Sequence, residues 1–212
     1  MTKPVHRDGN PGSGKRPAAT SASPDHRDAG SHGDAASHHH AGDARAIACA
    51  VITVSDTRTL ETDISGREIR ELLVAAGHRV ETSRIVADEP TLVRTVLEEL
   101  ASAGRIDAVL LSGGTGLAAR DTTFEAVGAV LTKRIDGFGE LFRALSFEEI
   151  GAAAMLSRAV AGLAGTMAVF SMPGSTGACR LAMQRLILPQ LAHVVGLARP
   201  RCEAHDHRRG TP

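Results

Sequence analysis

The chain has 212 residues, a formal net charge of zero at pH 7 and only 2% aromatic residues. This composition argues against nucleic-acid binding, because it offers no surplus of positive charge for phosphates and few rings on which bases could stack. No apolar run reaches the length of a membrane span, so a membrane partner is not expected either.

The two ends of the chain are predicted to lie outside the folded domain. Residues 1–45 are rich in Gly, Ser, Ala, Asp, Pro and His, with almost no large apolar side chain. Such a segment cannot bury enough surface to offset the entropy lost on ordering, so a disordered His-rich arm is predicted. Residues 199–212 form a polar tail, which leaves residues 46–198 as the folded domain.

The first half of this domain alternates predicted strands and helices. An apolar run over 46–54 predicts a buried strand, and Ser65 is the predicted cap of the helix that follows. A second strand is predicted over 78–86, after which Asp88 and Pro90 have the residue types that begin a helix.

The second half continues this alternation after a third strand at 106–111. Helices are predicted over 137–145 and 148–161, then a strand over 166–172, and Pro189 is expected to break or kink the last helix. Strands that alternate with helices in this way predict an α/β fold with a parallel sheet covered on both sides.

Two glycine-rich loops follow predicted strands. The carboxyl ends of parallel strands share one sheet edge, so these loops are expected to converge on one crevice, where backbone N–H groups can bind a phosphate. Either loop alone is compatible with an ordinary tight turn, but the pair favours a nucleotide site. The predicted phosphate-binding residues are Gly113, Gly114, Thr115, Gly116, Pro173, Gly174 and Ser175.

Three aspartates are predicted at the same edge: Asp56 after the first strand, Asp88 after the second and Asp121 after the first glycine loop. Carboxylates gathered beside phosphates need a cation between them, which predicts Mg²⁺ with Asp121 as a ligand. Helix capping is an alternative role for Asp88. Asp121 needs no such role, because Thr122 is the predicted cap of the next helix, in a capping box with Glu125.

For the other candidates, the residue pattern alone favours a structural role over a functional one. Ser157 is either a binding hydroxyl or a serine within a helix, and Arg158 binds a phosphate or forms an ion pair. The three cysteines, Cys49, Cys179 and Cys202, are too widely spaced for a disulfide framework or a metal knuckle, which favours a reducing cytoplasm. Cys179 follows a predicted helix start, where a thiol is either activated or simply buried.

These features together resemble the MoaB/MogA family of molybdenum cofactor biosynthesis, the molybdopterin adenylyltransferases. The resemblance covers residues 46–201, and the segment Leu145–Gly151 indicates the B-type branch. Phe124 departs from the family pattern, which usually has proline there. The other matching segments are Thr53–Asp56, Asp88–Glu89, Ser112–Gly116, Arg120–Thr123, Gly137–Glu140, Leu156–Gly162 and Met172–Thr176.

The resemblance implies a three-layer α/β sandwich with a mostly parallel central sheet, assembled as a homotrimer or hexamer. It implies the reaction of Mg-ATP with molybdopterin to give adenylyl-molybdopterin and pyrophosphate, and a contact with the molybdate-inserting enzyme of the pathway. Asp88 and Asp121 match the catalytic acids, and the implied molybdopterin-binding residues are Ser55, Asp56, Ser157 and Arg158. The alternative is a non-catalytic molybdopterin-binding scaffold. Retention of Asp56 together with both catalytic acids favours the enzyme.

Overall fold

A computed structural model describes residues 45–199 of the chain. Apart from Arg45 and Arg199, the predicted disordered arm and the predicted polar tail lie outside the described residues, so both remain predictions.

Within the described range, six strands form one mixed sheet. They are β1 Ala48–Val54, β2 Arg79–Val86, β3 Ala108–Ser112, β4 Lys133–Arg134, β5 Val160–Ala164 and β6 Met167–Met172. The order across the sheet is β2-β1-β3-β6-β5-β4. Strands β2, β1, β3 and β6 are parallel, whereas β5 runs antiparallel to both of its neighbours. The mostly parallel sheet is confirmed.

Helices connect these strands. They are α1 Ile64–Ala75, α2 Pro90–Ala103, α3 Thr123–Val130, α4 Asp136–Ile150, α5 Thr176–Ala182 and α6 Leu188–Ala198. A 3₁₀ helix, Gly151–Leu156, follows α4, and a π-helical turn, Met183–Ile187, joins α5 to α6. Pro189 lies in the first turn of α6, directly after the π-helical turn. The run stays helical to Ala198, so Pro189 does not break it, and a kink stays a prediction. The π-helical turn lies directly before the proline, which removes a helical donor and crowds the preceding turn.

The central strands β1, β3 and β6 are buried on both faces, as their continuous apolar runs predict. Val51 and Leu110 belong to a core cluster with side chains of α1, α4, α5 and α6. Ile52 and Leu111, their neighbours along the strands, belong to a second cluster with α2 and α3. Since successive strand residues point to opposite faces, the two clusters define a three-layer α/β sandwich and confirm the fold class.

The helix predicted over 148–161 is wrong in its second half. α4 runs without interruption to Ile150 and ends at Gly151, whose φ of +60° favours glycine. Residues Val160–Ala164 instead form β5, which pairs with β6. A short apolar run has no periodicity that separates a strand from a buried helix, so the neighbouring strand decides its conformation.

Two predicted helix caps are also wrong. The cap of α1 is Asp63, whose carboxylate accepts a hydrogen bond from the backbone N–H of Gly66 at 2.9 Å. Ser65 lies inside that helix and is fully buried. The cap of α2 is Glu89, which makes no side-chain cap bond. Helix capping therefore does not explain Asp88, which lies one residue earlier.

Thr122 is the cap residue of α3, as predicted, but its side chain makes no cap hydrogen bond. Glu125 forms an ion pair with Arg158 and does not complete a capping box. The helix start is predicted correctly, whereas the side-chain contacts that define a capping box are absent.

The last helical run, Thr176–Ala198, is long and apolar enough to cross a membrane by length and composition alone, a match that the sequence analysis did not anticipate. Its side chains Cys179, Met183, Ile187 and Leu191 are fully buried in the core cluster on one face of the sheet. Core packing accounts for this apolar composition, because a helix against a sheet needs an apolar stripe.

Candidate active site

The two glycine-rich loops converge at one edge of the sheet, as predicted. They follow β3 and β6, and with the segment after β1 they line a cleft of about 590 Å³. Of the predicted site residues, those that line the cleft are Ser55, Gly113, Gly114, Thr115, Gly116, Asp121, Ser157, Pro173, Gly174 and Ser175. Asp56, Asp88 and Arg158 lie outside this lining. The cleft is therefore built mainly from backbone and small polar groups.

The first loop depends on glycine at two positions. Gly113 has φ +102°, and a Cβ atom on it would lie 2.3 Å from the carbonyl oxygen of Val54. Gly114 has φ +62°, and a Cβ atom there would lie 2.1 Å from Oγ1 of Thr123 and 2.8 Å from Oδ1 of Asp88. Both conformations disfavour side chains, and the space is occupied in each case. Glycine at these two positions therefore lets the loop pack closely against β1 and against Thr123 and Asp88. The N–H of Gly113 donates to the carbonyl oxygen of Met172 at 3.1 Å, so its predicted use as a phosphate-binding amide is wrong.

The second loop packs directly on the first. A Cβ atom on Gly174 would lie 3.1 Å from the Cα atom of Gly113. Ser175 caps α5 by accepting a hydrogen bond from the N–H of Ala178 at 3.3 Å. Beneath the loop, Sγ of Cys179 lies 3.4 Å from the carbonyl oxygen of Pro173. Burial raises the pKa of the Cys179 thiol to about 12, so this cysteine is a structural residue and not an activated thiol.

Asp88 lies behind the first glycine loop. Its Oδ1 atom is buried and has no hydrogen-bond partner within the described residues. The pKa of Asp88 is raised, chiefly because burial disfavours its charge and next because Asp121 is also negative, although the backbone N–H of Thr122 opposes this shift. A carboxylate whose pKa is shifted by burial and by a second acid is typical of functional sites.

Asp121 lies at the edge of the cleft and is held by its own loop. Its Oδ2 atom accepts a hydrogen bond from the backbone N–H of Ala118 at 2.8 Å. A Cβ atom on Gly116 would lie 2.4 Å from the same oxygen, so glycine at that position lets the carboxylate approach the loop closely. The structure therefore places the negative charge of Asp121 beside the predicted phosphate-binding amides.

The carboxylates in this region are too few to hold a magnesium ion alone, but they fit an ion that a bound ligand also coordinates. Within residues 45–199 no three His, Cys, Asp or Glu side chains converge to hold a metal by themselves. Mg²⁺ commonly takes only one or two protein carboxylates and completes its shell with phosphate oxygens and water. Asp121, the one carboxylate among the described residues that line the cleft, matches that smaller requirement.

Arg158 supports the glycine loop from outside the cleft. Its guanidinium donates to the carbonyl oxygens of Thr115 at 3.0 Å and Asp121 at 2.7 Å, and also to that of Gly116. It lies 5.3 Å from the ring centre of Phe124, within the range of a cation–π contact. These contacts hold the loop. Direct binding of molybdopterin by Arg158 stays a prediction.

Asp56 is engaged with its neighbours as well. Its carboxylate pairs with Arg120 at 2.8 Å and accepts a hydrogen bond from the backbone N–H of Asp88 at 3.2 Å. Asp56 thus joins the ends of β1 and β2, and its predicted pterin contact is untested. Ser55 and Ser157 do reach the cleft, the latter in extended conformation directly after the 3₁₀ helix.

Arg58 was not among the predicted site residues, yet it lines the cleft beside the second loop. Its guanidinium donates to Oδ1 of Asp63 at 3.4 Å and to the carbonyl oxygen of Gly174 at 3.4 Å. Asp63 also accepts a hydrogen bond from Oγ1 of Thr53 at 2.6 Å. The sequence signal that could have indicated this contact is Asp63 three residues before Gly66, which is the spacing of a helix cap. A cap at Asp63 places a carboxylate close to Arg58.

Comparison with known proteins identifies the relatives of this chain. A family profile described as "Probable molybdopterin binding domain" matches residues 50–193. Molybdenum cofactor biosynthesis protein B of Halalkalibacterium halodurans is 55% identical over 152 residues, which cover 71% of this chain and 89% of that protein. The protein of the same name from Bacillus subtilis is 54% identical over 151 residues, covering 70% and 88%.

Solved structures give the same result. A crystal structure of a molybdenum cofactor biosynthesis protein B is similar with a TM-score of 0.71 and 50% identity, covering 73% of this chain and 96% of its own. The tungsten cofactor synthesizing protein MoaB of Pyrococcus furiosus has a TM-score of 0.65 at 36% identity, with 74% and 99% covered. The similarity thus extends over the folded domain and nearly all of each relative.

Proposed function

This chain belongs to the MoaB/MogA family of molybdenum cofactor biosynthesis proteins, and we propose that it transfers AMP from Mg-ATP to molybdopterin. The products are adenylyl-molybdopterin and pyrophosphate. The observation that carries this proposal is the cleft at the sheet edge, where the glycine loop Gly114–Gly116 and Asp121 line one cavity.

In this reaction a phosphate oxygen of molybdopterin attacks the α-phosphorus of ATP. The new phosphorus–oxygen bond forms as the bond to the pyrophosphate group breaks, and the electron pair leaves with pyrophosphate. Catalysis of such a transfer depends mainly on alignment and on neutralising the phosphate charge. We expect backbone N–H groups of the two loops to bind the phosphates. The hydroxyls of Ser55 and Ser157, which line the same cleft, are expected to bind the pterin.

Asp121 and Asp88 are the proposed catalytic acids, and Asp121 is the proposed Mg²⁺ ligand. When bound, the cation supplies positive charge to the phosphates and relieves the repulsion between the two carboxylates. The raised pKa of Asp88 supports this role, because burial and the nearby charge of Asp121 disfavour its ionised form more than Thr122 and Arg120 favour it. Arg158 acts as a positioning residue by holding three carbonyl groups of the loop.

The activity is tested by pyrophosphate release in mixtures of ATP, Mg²⁺ and molybdopterin. Asp121→Asn preserves an oxygen acceptor for the N–H of Ala118 but removes the charge, so the fold should persist while the rate falls by about 100-fold or more. Asp136→Asn is the matched control, because Asp136 is an exposed aspartate at the start of α4 that pairs with Arg134 of β4.

Full activity in Asp121→Asn would contradict the role of Asp121. A wild-type chain that binds molybdopterin but releases no pyrophosphate would contradict the transferase itself and would favour the non-catalytic scaffold.

We also propose that the chain works as a homotrimer or hexamer in the cytoplasm and contacts the molybdate-inserting enzyme of its pathway. Exposed apolar side chains at the end of α4 and in the 3₁₀ helix support self-association. Cys49 and Cys179 are free and buried, which is compatible with a reducing compartment.

A further inference from the structure

Arg58 is the one positively charged side chain among the described residues that line the cleft. The remaining lining residues are neutral apart from Asp121, so this arginine is the local source of positive charge for an anionic ligand. A guanidinium that lines the same cleft as two glycine-rich loops is suited to charge-assisted hydrogen bonding with a phosphate.

The contacts of Arg58 are loose in comparison with those of other arginines. Its guanidinium lies 3.4 Å from Oδ1 of Asp63, 3.3 Å from Oγ of Ser65 and 3.4 Å from the carbonyl oxygen of Gly174. By contrast, Arg84 makes two contacts of 3.0 Å to a single glutamate. The Arg58 side chain is 35% exposed, so its remaining N–H groups are accessible from the cleft.

The buried acid beside Arg58 does not depend on it alone. The side chain of Asp63 is only 1% exposed, yet its two oxygens receive close hydrogen bonds from Oγ1 of Thr53 at 2.6 Å and from the N–H of Gly66 at 2.9 Å. A carboxylate with these donors is partly compensated already. The charge of Arg58 is therefore available to a second anion.

We propose that Arg58 is a substrate-binding residue whose guanidinium binds a phosphate group in the cleft. The assignment of that phosphate to ATP or to molybdopterin rests on the proposed function, whereas phosphate binding itself does not. Ser65 and Asp63 orient the side chain, and its bond to Gly174 places it next to the second glycine loop.

The direct test measures protection of Arg58 from phenylglyoxal, an arginine-modifying reagent, by peptide mass spectrometry on the wild-type chain. Pyrophosphate should slow modification of Arg58 and leave exposed Arg84 unaffected. Separate arms with Mg-ATP and with molybdopterin identify which phosphate is bound. Equal modification of Arg58 with and without all three ligands overturns the proposal.

Substitution provides the second measurement. Arg58→Gln should weaken pyrophosphate binding in calorimetry by about 10-fold to 100-fold, the range of a lost charge-assisted hydrogen bond. Arg58→Lys should lose less, and Arg84→Gln should bind as the wild type does. Unchanged affinity in folded Arg58→Gln contradicts the proposal. If that variant does not fold, the protection experiment decides the question.

Neither measurement depends on enzymatic turnover, so the transferase activity and phosphate binding by Arg58 can be contradicted independently of each other. A chain that protects Arg58 with Mg-ATP but releases no pyrophosphate contradicts the transferase alone. A chain that turns over ATP while Arg58 stays unprotected contradicts the binding role alone.

Discussion

At the residue scale, Asp88 is a proposed functional group whose ionised form lowers the stability of the folded protein. Its inner carboxylate oxygen is buried without a partner, and Asp121 and Asp56 both add negative charge nearby. Desolvation and repulsion disfavour the ionised form in the folded protein. A residue needed only to begin α2 would not require this arrangement, since Glu89 is the cap residue.

Asp88→Asn should therefore stabilise the protein at neutral pH while lowering pyrophosphate release. The folded-state pKa of Asp88 is above its unfolded value. Stability is therefore lost as pH rises from the unfolded to the folded pKa, and the loss stays constant at higher pH. We expect a rise in the thermal midpoint of about 1–3 °C at pH 7, which disappears below about pH 4. A lower midpoint at pH 7, measured by calorimetry, would contradict this interpretation.

At the element scale, close approach between loops matters more than the conformation of either loop. Gly113 touches the backbone of β1, Gly174 touches Gly113, and Gly114 lies against side chains of Thr123 and Asp88. Arg158 then ties the outer side of the first loop to the residues before β5. The cleft geometry thus depends on contacts between elements that are distant in sequence.

Gly114→Ala and Gly104→Ala separate these effects, because both glycines have φ +62°. Gly104 has no atom within 4 Å of the added Cβ position, so alanine there should cost about 1 kcal/mol from backbone strain alone. Gly114→Ala adds the clash with Thr123 and should cost about 1–3 kcal/mol more. Urea unfolding measures both, and equal costs would show that the contacts at Gly114 do not matter.

At the scale of the whole molecule, one surface is more apolar than an isolated domain requires. Four large apolar side chains near the end of α4 and in the 3₁₀ helix are more than half exposed. They are Phe147 at 61%, Ile150 at 56%, Met155 at 77% and Leu156 at 54%. Since Leu156 also lines the cleft, an interface here would lie beside the candidate active site.

A double substitution, Phe147→Asp with Met155→Asp, should shift the proposed oligomer to monomer. Two buried charges at a subunit contact are costly, whereas the same charges are tolerated on a free surface. Sedimentation velocity measures the change, and Val74→Asp on the exposed side of α1 is the control. An unchanged sedimentation coefficient in the double variant, or a monomeric wild type at micromolar concentration, would contradict the proposal.

Local sequence patterns were sufficient for the order of most elements and for the convergence of the two glycine loops. The buried strands have continuous apolar runs, and parallel strands necessarily bring their following loops to one edge. The segment Val160–Ala164 was not predictable in this way, because its strand conformation comes from pairing with β6. The cap at Asp63 was missed for a related reason, since Ser65 has an equally suitable side chain.

The sequence by itself therefore determined the α/β class, the two glycine loops and the presence of acids after the strands, because residue type and periodicity encode these locally. Only the tertiary structure decided which polar groups reach the cleft. Arg58 faces it and Arg158 instead holds the loop beside it, although both are arginines at the ends of elements. That difference arises from contacts across more than 40 residues of chain, such as the one between Arg158 and Thr115 with its separation of 43.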